Sequence, residues 1–249
     1  MNYSFYIQHL QRQADRKQRF IEHHKAKGYV ESSFHFHHSR DGADYSDANV
    51  MYKDMVKAYP QLEDIRPTNS GLGNYGCLWG QIEMLDNFIK GNPETDFIWF
   101  TQDDNFLELD AIHFQSLFIA FMDYTADFNC WRTAHWFYDS TLKHLDDSES
   151  FEIEGLAFQK GWLSYGDEGI FMNREGAKLI LDESLKQANF IEGLIEGDVS
   201  YLKDKGFYTN TNLPPKQPKQ PNDKSHHRNA ICFISDNTKS ERITLNEKG

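Results

Sequence analysis

The chain has only three cysteines, Cys77, Cys130 and Cys232, far apart and without the paired spacing of a zinc site or a disulfide framework. A reduced compartment is the simple expectation. Cationic residues are also scarce: 26 Lys and Arg stand against 38 Asp and Glu, a formal net charge of -12. That balance excludes a surface built throughout for nucleic acid, while leaving room for a local basic groove. No apolar run approaches the ~20 residues of a membrane-spanning helix, and residues 1–13 hold no signal-peptide apolar segment. These absences together predict a soluble, cytoplasmic protein. Proline is rare, and four of the seven fall between positions 214 and 221. They share residues 212–228 with Lys216, Lys219, Lys224, His226, His227 and Arg228, a composition that predicts a linker, loop or lid.

What is plentiful is apolar and aromatic material. With 249 residues, 39% of them hydrophobic and 14% aromatic, the chain can bury a real core and is not disordered. No internal repeat is present. One domain is expected over residues 1–234, followed by a polar tail at 235–249.

The organising stretch is Phe97-Ile98-Trp99-Phe100-Thr101-Gln102-Asp103-Asp104-Asn105. Four apolar residues in succession are too few for a spanning helix and suit a strand buried on both faces. Two carboxylates and an amide follow it. In an open α/β sheet, ligands bind at the carboxyl ends of the strands. Asp103 and Asp104 therefore read either as a metal and phosphate site, with oxygen ligands suited to Mg²⁺ or Mn²⁺, or as a plain Asp/Asn turn.

The remaining pattern is consistent with that class. Residues 3–10 read as a first strand, leading through a polar turn into a helix over 16–27 that Gly28 stops. The turn from Gln8 to Arg16 lies at the ligand edge, and is either a nucleotide-binding turn or a solvated helix start. A second strand is expected over 29–36; His35 and His37 share one face, as metal ligands or as half-exposed strand residues. Residues 71–76 spell G-x-G-x-x-G, but the preceding 64–70 are polar and contain Pro67, which argues against a dinucleotide loop. A glycine loop entering a helix over 76–90 fits better. Further helices are expected over 110–123 and from Asn173 onward, and strands near 128–133, 170–172, 206–209 and 230–234. Gly166-Asp167-Glu168-Gly169 is an acidic pair between glycines, and Glu196-Gly197-Asp198-Val199 reads as lying near a helix start. Either acidic set alternatively caps a helix.

Taken together, these motifs resemble glycosyltransferases of the type-A (GT-A) fold. Tyr6-Ile7-Gln8-His9-Leu10, Asp15-Arg16-Lys17-Gln18-Arg19-Phe20, Gly76-Cys77-Leu78-Trp79 and Gln102-Asp103-Asp104 are similar to the lipooligosaccharide-type branch. Gln102-Asp103-Asp104-Asn105, the 166–169 loop and Glu196-Gly197-Asp198-Val199 resemble the fringe-type branch, in that order. Two departures stand out: Gln102 replaces the first carboxylate, and Gly197 splits the Glu-Asp pair.

The resemblance implies a single GT-A-like, Rossmann-like α/β domain with a mostly parallel sheet flanked by helices. It implies a nucleotide-sugar donor, UDP-linked by default, held by Gln8, His9, Leu10, Arg16, Gln102, Asp103 and Gly166. Mn²⁺ or Mg²⁺ would rest on Asp104 and Asp103, with His226 or His227 completing the shell. Asp198 would be the base of an inverting transfer, with Asp167 and Glu168 as rivals. The acceptor would be a glycan or other small hydroxyl compound, or hydroxymethylated phage DNA. A sugar-phosphate nucleotidyltransferase and a non-catalytic carbohydrate-binding protein are the alternative readings.

Overall fold

A computed structural model describes residues 2–63, 71–91, 94–133, 150–161, 169–188, 200–210 and 232–234. The strands are β1 (Tyr3–His9), β2 (Phe34–His38), β3 (Phe97–Gln102), β4 (Asn105–Leu107), β5 (Cys130–Arg132), β6 (Ser150–Ile153), β7 (Leu156–Lys160), β8 (Ile170–Asn173), β9 (Phe207–Asn210) and β10 (Cys232–Ile234). The helices are α1 (Ala14–Ala26), α2 (Ala48–Ala58), α3 (Leu72–Lys90), α4 (Ala111–Tyr124) and α5 (Arg174–Gln187).

Eight strands form one sheet in the order β2-β1-β3-β8-β5-β9-β7-β6, while β4 and β10 pair antiparallel as a separate ribbon. Six of the eight point the same way; β7 and β8 are reversed. The expected α/β class with a mostly one-way sheet and flanking helices is therefore what the chain adopts. Side chains alternate across the sheet. Ile98, Phe100, Ile170 and Met172 face α2, α3 and α5, whereas Phe5, Ile7, Trp99, Phe171 and Trp131 face α1 and α4. Ile98, Trp99 and Phe100 are all fully buried, as a strand covered on both faces requires.

The boundaries follow local chemistry. Gly28, at φ 85°, closes α1 in the left-handed conformation that glycine adopts without strain. The Asp110 carboxylate accepts from the Ile112 and His113 amides at the start of α4, and Asn173 accepts from the Gly176 amide at 2.8 Å to cap α5. Other elements differ from the pattern read above. The second strand begins at Phe34, not near Tyr29, because Glu31–Ser33 forms a 3₁₀ turn. Helix α3 begins at Leu72, so Gly73 and Gly76 lie inside its first turns and the G-x-G-x-x-G run is no phosphate loop. The β6–β7 hairpin was not anticipated. Its turn, Glu154-Gly155, has both residues at positive φ, the twist that a tight hairpin demands. The strand expected near 230–234 exists, but it joins β4 and not the large sheet.

His24 of α1 is buried between the two layers it joins. Its Nδ1 lies 2.8 Å from the Phe20 carbonyl, and its Nε2 accepts from the Leu107 amide at 3.2 Å. Those two bonds fix a neutral imidazole with the proton on Nδ1. Burial pushes its pKa down to about 3; the Phe20 carbonyl opposes this, and His23 and Lys27 add to it. The unfolded chain takes up the proton near the ordinary histidine value while the folded chain resists it. Stability should therefore be lost as pH falls from about 6.5 toward 3, by roughly 2–3 kcal/mol at pH 4.5. Urea unfolding at pH 7 and pH 4.5 checks this. In His24→Gln the acid dependence should flatten, and an unchanged slope would assign it to other groups.

Candidate functional site at the carboxyl ends of strands 1 to 3

The parallel trio β2, β1 and β3 ends in register. His9 lies opposite His38, and Gln8 opposite both His37 and Gln102. Beyond those ends the chain makes two turns. After β1, the Gln13 amide donates to the Leu10 carbonyl at 2.8 Å and the chain enters α1. After β3, the Asp103 amide donates to the Gln8 carbonyl at 3.1 Å, which ties Asp103 to the neighbouring strand.

Four charged or polar side chains meet between these turns. Asp103 is 3% exposed, and its Oδ2 lies 2.6 Å from His9 Nδ1. Its other oxygen, Oδ1, lies 2.5 Å from Arg16 Nη2. The same Arg16 nitrogen lies 2.8 Å from Asp104 Oδ2. The adjacent carboxylates thus play different parts. Asp103 has a nitrogen partner on each oxygen and is sealed in, while Asp104, with 18% of its side chain exposed, stands at the rim. This cluster brings together His9, Arg16, Asp103 and Asp104, with the Leu10 carbonyl in the adjoining turn.

Beneath it lies an amide and thiol layer. Gln8 donates through Nε2 to the Cys77 carbonyl at 3.0 Å, and Gln102 Nε2 lies 3.9 Å from Cys77 Sγ. Gln102 thus packs beside a thiol where the family pattern has a carboxylate. Helix α3 can approach this closely because of its glycines. A Cβ on Gly76 would come within 2.5 Å of the Arg40 carbonyl oxygen, and one on Gly80 within 2.6 Å of Gln8 Nε2. The Gly76-Cys77-Leu78-Trp79 run thereby gains a packing reason. Gly76→Ala should destabilise the protein by about 1–3 kcal/mol, since backbone must move, despite a gain of up to about 1 kcal/mol in helix propensity. A melting temperature equal to or above that of the parent chain would show that the loop yields freely.

Further cations stand near the cluster, each beside a ring or a carboxylate. Lys17 lies 4.6 Å above the Phe36 ring, and Arg12 pairs with Asp41. His38 is held below the usual imidazole range by burial and by neighbouring His9, Lys17 and His37. His37 itself pairs with Glu83 at 3.0 Å, and His35 is exposed on the edge strand, so these two strand histidines do not converge. Among the described residues, no group of three or more His, Cys, Asp or Glu side chains is placed to hold a metal ion, and no helix is long and apolar enough to cross a membrane.

Several candidates lie outside the described residues: Gly166, Asp167, Glu168, Asp198, His226 and His227, with the rest of the 212–228 segment. Gly169 is described, at φ 112°, and packs on Trp99 and Thr133.

Solved structures align with the chain over most of its length at low identity. Mouse xyloside xylosyltransferase 1, in its apo form, aligns over 83% of this chain and 84% of its own, at 10% identity and a TM-score of 0.43. A glycosyltransferase involved in the glycosylation of the major capsid of PBCV-1 aligns over 85% and 93%, at 8% identity and a TM-score of 0.34. No protein-family model matches the chain, and no curated protein matches it.

Mg²⁺ characteristically takes one or two carboxylates and fills its shell with phosphate oxygens and water. Asp104 and Asp103 supply such a pair on a single cation, here the Arg16 guanidinium. Of the two, Asp104 is the more exposed, while both oxygens of Asp103 already have nitrogen partners. The signals missed in sequence were the histidine partner of Asp103 and the arginine bridge, since neither depends on nearby positions.

Proposed function

We propose that the protein is a glycosyltransferase that moves a sugar from a nucleotide-sugar, UDP-linked, to a hydroxyl of a glycan or other small acceptor. The observation that carries this reading is the acidic pair Asp103-Asp104 at the carboxyl ends of β1 and β3, bridged by Arg16 with Lys17 nearby. The motif order described above supports it, with the same residues in the same roles.

In this reading the work divides along burial. His9 and Arg16 hold Asp103, and Asp103 holds the turn at the end of β3. Arg16 and Lys17 bias the rim toward an anion such as a diphosphate, with neutral His38 beside them as a hydrogen-bonding group. Helix α1 adds its positive end, where no side chain caps the first turn. Asp104, with Asp103 behind it, would hold Mn²⁺ or Mg²⁺. When bound, that ion offsets the negative charge gathering on the leaving diphosphate. The acceptor proton needs one base for an inverting transfer, and Asp198 is proposed for it, with Asp167 and Glu168 as rivals. His226 or His227 would complete the ion's ligands.

The test is a screen of UDP-sugars for binding and slow hydrolysis in the presence of Mn²⁺, followed by a screen of acceptors. Metal-dependent release of UDP from at least one donor is expected. Binding of free sugars without any donor hydrolysis would favour a carbohydrate-binding protein instead.

A further inference from the structure

We infer that Arg16 is a resident counter-ion of the acidic pair, which a divalent cation must displace from Asp104 and which a diphosphate then captures. The inference rests on the donor reading above and concerns how the same site is loaded.

The geometry has three parts. First, one nitrogen, Arg16 Nη2, serves both Asp103 Oδ1 and Asp104 Oδ2, at 2.5 and 2.8 Å. A cation coordinated by Asp104 toward Asp103 meets that guanidinium, and two positive groups in contact repel strongly where solvent is limited. Second, the two contacts differ in permanence. Asp103 is anchored by His9 and by its own amide on Gln8, whereas the rim carboxylate Asp104 is 18% exposed and can exchange partners. Third, Arg16 Nε is buried without a hydrogen-bond partner among the described residues. A guanidinium with an unused buried donor is not fully satisfied where it sits, and a shift toward the rim gives that donor access to water or to a phosphate oxygen. Arg16 also stands in the first turn of α1, beside Lys17, at the uncapped positive end of that helix.

The consequence is thermodynamic coupling. With Arg16 in place, a divalent cation binds weakly on its own. A diphosphate that takes the guanidinium releases Asp104 from Arg16 and strengthens cation binding, and by linkage the cation strengthens diphosphate binding equally. The arrangement would offset one of the two negative charges of the empty acidic pair and make loading concerted.

Mn²⁺ binding to the full chain, followed by electron paramagnetic resonance without nucleotide and then with UDP, tests this. Free Mn²⁺–UDP complex is subtracted. Arg16→Gln should bind Mn²⁺ alone about tenfold more tightly than the parent chain, within the usual range of coupling between ligands, and UDP should then add less. Arg16→Lys keeps one charge but has no planar fork, so its affinity for Mn²⁺ alone should fall between the two; it also serves if the glutamine variant fails to fold. Equal or weaker Mn²⁺ binding by the folded variants overturns the inference, and normal UDP-sugar hydrolysis by the parent chain would then leave the donor reading standing. Absence of Mn²⁺ binding by every chain, with and without UDP, overturns both.

Discussion

Replacing Asp104 by alanine is expected to lower metal-dependent turnover of a UDP-sugar by about a thousandfold while leaving the fold in place. The reasoning follows from position. Asp104 is the rim member of the pair, 18% of its side chain is exposed, and its contact with Arg16 is a second contact of a guanidinium already held by Asp103. Removing a partly solvated ion pair of this kind costs about 1 kcal/mol of stability or less. The effect on chemistry is larger because the carboxylate would hold the charge that opposes the leaving diphosphate. Steady-state hydrolysis with added Mn²⁺, alongside a thermal melt, separates the two effects. Turnover at the parent rate in the variant, with EDTA present, would move the site elsewhere on the chain.

Asp103→Ala should show the opposite balance. Its carboxylate is 3% exposed and partnered on both oxygens, by His9 and by Arg16. Truncation leaves a buried ring nitrogen and a guanidinium without their shared acceptor, and such a break costs about 3–5 kcal/mol. For a chain of this size that corresponds to a fall of roughly 10 °C in melting temperature. Activity should disappear as well, but as a consequence of losing the turn that presents Asp104. Urea unfolding at pH 7 gives the stability difference directly. A loss below about 1 kcal/mol would mean that water reaches Asp103 and that the pair is not sealed. Asp103→Asn, which keeps the shape and can still accept from Arg16, should fall between parent and alanine.

The two substitutions affect neighbouring residues of the same type, and nothing in Gln102-Asp103-Asp104-Asn105 ranks them. The family resemblance put the ion on Asp104 first, but it offered no reason for Asp103 to be structural. That reason comes from His9, which is 94 positions away along the chain and stands on the adjacent strand. Strand registry places it: Gln8 is paired with Gln102, so the residue after each faces the same edge.

Elements set by short-range physics were legible without the fold. The apolar run at 97–100 suits a strand with both faces covered, and Ile98, Trp99 and Phe100 are fully buried. The α4 and α5 caps at Asp110 and Asn173, and the glycine stop at Gly28, depend on groups within a few residues of each other, so their chemistry is visible locally. The acidic pair at the strand end was visible for the same reason. Tertiary structure alone decided the rest. It reversed β8 between β3 and β5, although its apolar pattern suits either direction. It turned the glycine-rich run at 71–76 into the start of a helix whose Gly76 and Gly80 admit Arg40 and Gln8. It buried His24 as a neutral link between Phe20 and Leu107, and it brought Arg16 between two carboxylates. Period, capping and turn preference are properties of neighbours along the chain, whereas which charge meets which carboxylate depends on the sheet order and on what water each group has lost.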